Sequence, residues 1–167
     1  MRQIKDAPRP VRFIGAMSEQ PANPVTVIES GNGPYAQFVT VGHHVLGADE
    51  PESLGGRDPG PSPYEYLLAG LGACTAMTLR MYSTRHGWPL DRIVVELKHD
   101  RVDTEDAKQI DRFERVIRLE GNLNQAQRAR LLEIAEKCPV SRTLQRASIV
   151  DTQLGERVLI DPPALVA

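Results

Sequence analysis

Cysteine is scarce in this chain: 167 residues contain only Cys74 and Cys138, with no Cys-x-x-Cys pair and four scattered histidines. That excludes a secreted disulfide scaffold and the common zinc-binding patterns. His43 and His44 are neighbours on an expected strand, so they point to opposite faces and cannot jointly hold a metal. Aromatic residues make up only 5% of the chain, and 20 Lys and Arg are offset by 22 Asp and Glu, for a formal net charge of −2. Without stacking platforms or a basic stripe, nucleic acid is not an expected partner. No apolar run approaches the ~20 residues of a membrane span. Met1 to Pro10 is polar and proline-bearing where a signal peptide would carry an apolar core. The expectation is a soluble, cytoplasmic protein without a membrane partner. Internal repeats and low-complexity segments are also missing.

What is present suffices for one compact domain. A composition 41% hydrophobic and 25% charged can bury a core without staples, so residues 1–167 are expected to form a single domain, with 1–10 and 161–167 as loose termini. Its organising stretch runs from Gly60 to Tyr82. Ser62 is placed as an N-cap, Pro63 fits the first helical position, and Glu65 stands three residues after Ser62 as in a capping box. Leu67, Leu68, Leu71, Cys74, Thr75, Thr78 and Tyr82 recur at three and four, which predicts a helix from about Pro63 to Arg85 or His86, closed by Gly87 and Pro89. Gly70 and Gly72 each cost about 1 kcal/mol against alanine inside a helix. Together with Ala69 and Ala73 they predict another backbone crossing at short range.

The flanking segments read as strands. Val11–Ile14, Val25–Ile28 and Tyr35–Val41 have β-rich character, the last two joined by the turn Ser30-Gly31-Asn32-Gly33-Pro34, with His43 to Leu46 extending the sheet. Ile93–Arg101 and Phe113–Glu120 form a half-buried pair whose charged residues are expected to face water, joined by a polar loop from Asp103 to Asp111. A helix capped by Asn122 or Asn124 should turn Leu131, Leu132, Ile134, Ala135 and Cys138 toward the core. It stops before Pro139, where a short helix opens. Ala147–Leu154 reads as a last strand, with another short one near Arg157–Ile160.

Pro63-Tyr64-Glu65 leading into Leu71-Gly72-Ala73-Cys74, followed much later by Lys137-Cys138-Pro139-Val140, resembles the OsmC/Ohr family in its OsmC-like branch. The resemblance runs from about Tyr35 to Leu154. It implies an α+β fold of βββ-α-ββ-α-β order, with curved antiparallel sheets around central helices in an intertwined homodimer. It also implies a thiol-dependent peroxidase acting on organic hydroperoxides and hydrogen peroxide without metal, haem or other cofactor. By position Cys74 matches the peroxide-attacking cysteine, Cys138 the resolving cysteine, and Glu65 the glutamate before the first cysteine. The family also uses an arginine to hold the thiolate. Arg57, upstream of Glu65, is the first candidate and Arg12 on the first strand the second. The oxidised cysteines would be reduced by an external dithiol, lipoyl-type or a small thiol.

The residues leave alternatives open beside these roles. Glu65 also reads as the second half of a helix cap, and Arg57 as an exposed loop charge beside Asp58. Leu67, Leu71, Met77 and Met81 are expected to line an apolar substrate pocket. The same pocket without efficient turnover would make the chain a stress-associated small-molecule-binding protein. Nine helical positions separate Glu65 from Cys74, which is about 900° and roughly 13 Å of rise, so on one helix they point apart. Glu65 is therefore expected to serve Cys74 of a second copy.

Overall fold

The computed structural model describes residues 23–104 and 108–155. Arg12, the strand expected at Val11–Ile14 and the one near Arg157–Ile160 lie outside the described residues. Within them the fold is α+β. Strands β1 (Val25–Glu29), β2 (Gln37–Val41) and β3 (His44–Ala48) form an antiparallel sheet in that order. Its first turn is closed by the Ser30 amide donating to the Ala36 carbonyl at 2.9 Å. A single 3-10 turn at Glu52–Leu54 leads to helix α1 (Pro63–Arg85). Next come the hairpin strands β4 (Arg92–Asp103) and β5 (Gln109–Glu120), then helices α2 (Gln125–Ala135) and α3 (Pro139–Leu144).

The ends of α1 are those its sequence dictates. The Glu65 carboxylate accepts from the Ser62 amide at 2.7 Å, and Gly87 takes a φ of 62° just past the last turn, where a side chain would be strained. Leu71, Cys74, Thr75, Thr78, Leu79 and Tyr82 are buried, one face at steps of three and four. Against that face lies the hairpin, paired from Arg92 with Glu120 to Asp103 with Gln109. Strand alternation brings Ile93, Val95, Leu97 and His99 together with Phe113, Arg115, Ile117 and Leu119 on its less exposed side. Leu79, Tyr82, Leu90, Leu123, Leu131, Ile134 and Ala135 make the larger apolar cluster, and Leu71, Cys74 and Cys138 a second one.

Several expectations are corrected. The neighbour that Gly72 accommodates is a strand side chain: a Cβ there would stand 2.8 Å from Leu97 Cδ1. The charged residues of β5 do not all face water, because Arg115 shares the parity of Phe113 and Ile117. Leu132 is 62% exposed, since it lies about 100° around α2 from the buried Leu131. Residues 147–155 have no regular secondary structure, with Ile149 88% and Val150 85% exposed. A strand without a ladder partner has nothing to hold it.

The three-stranded sheet meets the loop before α1 by a backbone contact. A Cβ at Gly60 would stand 2.6 Å from the Gly47 carbonyl carbon and oxygen, and the Tyr66 hydroxyl donates to that same carbonyl. Asp49, 2% exposed, accepts from the Glu50 amide at 2.8 Å and the Arg57 amide at 2.9 Å, which ties down the loop before the helix. Gly60→Ala is therefore expected to lower stability by about 1–3 kcal/mol, the range for overpacking. A denaturant titration of the variant beside the parent measures it.

Candidate active site

The two cysteines come from different elements and meet. Cys74 is on the buried face of α1, 8% exposed, and Cys138 is the fully buried N-cap of α3. Neither is in a disulfide, and they pack in one buried cluster, close enough for the Cys138 thiol to act on the titration of Cys74. Leu97, Phe113, Val140 and Leu144 pack around the pair. Pro139 at the first position of α3 starts that helix directly after Cys138, which leaves the Val140 amide among the free N–H groups of the first turn, where it favours the Cys74 anion.

The electrostatics hold Cys74 as a thiol. Burial pushes its pKa up from the ordinary thiol range, and the neighbouring Cys138 thiol pushes it further. The Val140 amide and the Thr78 hydroxyl pull it down by stabilising the anion. Upward wins. A raised folded pKa contributes stability that is complete below the ordinary thiol pKa of about 8.5. That contribution is lost as the pH climbs through the folded value. Among the described residues, no guanidinium is one of the groups acting on this sulfur.

Beside the pair opens a cavity of about 460 Å³, lined among others by Leu71, Ile110, Phe113, Arg115, Ser141 and Leu144. Of the four residues expected to line a pocket, Leu71 does so. Leu67 and Met77 are exposed at 45% and 57%, and Met81 is half-buried away from this cavity.

The other expected site residues are not brought to Cys74 within one chain. Glu65 is exposed in the first turn of α1, its pKa lowered by the Ser62 amide it accepts from. Arg57 is exposed, and its guanidinium donates to the Asn32 carbonyl at 3.0 Å. The arginine that does reach the site is Arg115. Its side chain is 10% exposed, and it donates at 2.8 Å to the Thr75 hydroxyl, on the residue after Cys74. Strand parity carried the signal for it, because Phe113, Arg115, Ile117 and Leu119 alternate with charged or exposed positions.

The family model described as OsmC-like protein matches residues 55–153, more than half of the sequence, and the chain belongs to that family. Among solved structures, an OsmC-like protein from Mycoplasma pneumoniae aligns with a TM-score of 0.63 at 16% identity, covering 77% of this chain and 89% of that one. An organic hydroperoxide resistance protein OsmC from Legionella pneumophila gives 0.57 at 22%, covering 74% and 88%. The organic hydroperoxide resistance protein OhrB of Bacillus subtilis gives 0.52 at 21%, covering 72% and 88%. These likenesses establish the fold. No curated protein sequence matches the chain.

The opposing contributions at Cys74 make a test of sign. Cys138→Ala removes a group that raises the Cys74 pKa, so iodoacetamide alkylation at pH 7 is expected to quicken. Thr78→Val removes one that lowers it, so the same reaction is expected to slow. Both rates are read from the mass of the alkylated chain across pH 6 to 10.

Proposed function

We propose that this protein is a thiol-dependent peroxidase that reduces organic hydroperoxides, and hydrogen peroxide, through a Cys74 sulfenic acid resolved by Cys138. One observation carries the reading: two cysteines 64 positions apart in sequence are buried together in one apolar cluster beside a cavity. Inert core thiols have no need to meet. The Cys74 thiolate attacks a peroxide oxygen, the alcohol leaves, and the sulfenic acid condenses with Cys138 to a disulfide. An external dithiol, lipoyl-type or small, then restores the thiols. No cofactor is required by this cycle.

Attack at neutral pH needs a positive group near Cys74 to offset its burial. We assign that role to Arg57, and a positioning role to Glu65, both acting across a homodimer on Cys74 of the other subunit. Support comes from α1, whose Leu67, Gly70, Ala73 and Met77 are exposed at spacings of three and four, a narrow stripe on which a second α1 could cross closely. Leu67, Met77 and Met81 would then line the shared pocket. A binding protein with little turnover is the second reading, favoured by the upward shift of the Cys74 thiol.

One equivalent of cumene hydroperoxide separates these readings. Loss of both thiols with a mass decrease of about two hydrogens is expected for the peroxidase, whereas thiols that survive excess hydroperoxide leave the binding protein. The shared site is tested by co-expressing Glu65→Gln with Cys74→Ser chains. Mixed dimers are expected to regain one site built of Cys74 from the first chain and Glu65 from the second. Folded mixed dimers without recovery would confine Glu65 to its own helix as a cap.

A further inference from the structure

The relative placement of the two sulfurs depends on two elements that are far apart in sequence. Cys74 moves with α1, and Cys138 with the short junction between α2 and α3. One side chain is bonded to both. Arg115, on the inner face of β5 opposite Leu97, donates from Nη1 to the Thr75 hydroxyl at 2.8 Å and from Nη2 to the Glu136 carboxylate at 2.8 Å. Thr75 follows Cys74, and Glu136 precedes Cys138 by two residues. The fully buried Thr75 hydroxyl spends its own proton on the Leu71 carbonyl at 2.7 Å, so its lone pairs are left for the guanidinium.

A charge on the inward face of a strand is a poor choice for stability alone, because an apolar residue of similar size fills such a site without desolvation cost. The planar fork of arginine does what an apolar residue cannot: it fixes two acceptors at a set separation. We propose that Arg115 is a positioning residue that holds Cys138 in line with Cys74, so that the sulfenic acid is captured before a second peroxide reaches it.

This rests on the peroxidase cycle above. In the first step the Cys74 thiolate takes one oxygen from ROOH, the O–O bond breaks, and RO⁻ gains a proton to leave as ROH. In the second the Cys138 thiolate attacks the sulfenic sulfur, the S–S bond forms, the S–O bond breaks, and hydroxide leaves as water with a proton. The competing step is oxidation of Cys74–SOH by a second ROOH, giving Cys74–SO₂H and ROH. The two outcomes share an intermediate, so their ratio reports how well Cys138 is placed.

The test compares the parent with Arg115→Met, Arg115→Lys and the surface variant Glu136→Ala, which removes one arm of the fork and leaves the buried one. Each reduced protein is treated with a fixed excess of cumene hydroperoxide, and intact mass divides the product between disulfide and sulfinic acid. Arg115→Met is expected to raise the sulfinic-to-disulfide ratio about fivefold or more, within the range of couplings measured between neighbouring groups. Arg115→Lys, a point charge without the fork, is expected to recover only part of this, and Glu136→Ala to show a smaller rise. A parent-like ratio in folded Arg115→Met overturns the proposal, and so does a parent-like ratio in Glu136→Ala should the arginine variants fail to fold. If the parent itself resists hydroperoxide, the peroxidase reading has failed, and diamide-driven closure of the Cys74–Cys138 disulfide becomes the measurement. Closure slowed about fivefold in Arg115→Met then supports the positioning role, and an unchanged rate removes it.

Discussion

Seating the buried face of α1 on the inner side of the β4–β5 hairpin fixes where each group of the site lies. Along α1 the buried residues step from Leu71 through Cys74 and Thr75 to Thr78, Leu79 and Tyr82. The hairpin presents Leu97, Phe113, Arg115 and Ile117 on its matching face. Because a helix offers a stripe and a strand offers every second residue, small changes in register would exchange these contacts wholesale. Gly72 shows how tight the fit is, since Leu97 occupies the space a side chain would need. The α2–α3 junction then closes over the stripe and delivers Cys138.

The same packing creates a conflict between architecture and chemistry. An apolar, covered sulfur is well placed to exclude water, yet burial is the largest influence raising its pKa. Peroxide attack needs the anion. Within one chain two neutral donors, the Val140 amide and the Thr78 hydroxyl, work toward the anion and do not prevail. Arg115, although next door, points its guanidinium at Thr75 and Glu136. Its influence is mechanical, and a reactive thiolate calls on charge from elsewhere, which is why a second subunit enters the proposed function.

Helix α1 could be read almost to the residue from Ser62, Pro63, Glu65 and Gly87, because caps and stop signals act locally. The order of strands and helices from Val25 to Leu144 follows from periodicity in the same way. Arg115 was readable too: the alternation that makes Ile117 and Leu119 inward makes it inward, but a charge in a strand invites the assumption of a solvated face. What local pattern does not contain is partnership. Nothing near Arg57 shows that Asn32, 25 positions away, accepts from its guanidinium, nor that Asp49 is buried to bind the Arg57 amide. Ala147–Leu154 has the composition of a strand, and composition does not supply an edge to pair with.

Complete burial of Cys138 bears on how such a pair is recycled. In the proposed cycle a small hydroperoxide would come from the cavity beside Leu71 and Phe113, whereas a dithiol must approach a sulfur along the S–S axis and needs far more room. Once the two sulfurs are joined, neither presents itself to a reductant of that size. In that cycle access would require the six residues of α3, a helix too short to be stable on its own, to swing or fray away from α1. In the proposed cycle, reduction would then ask more of the fold than oxidation. The slow half of turnover would be set by the opening frequency of a helix under two turns long, and the oxidised protein would persist wherever peroxide arrives faster than that gate opens.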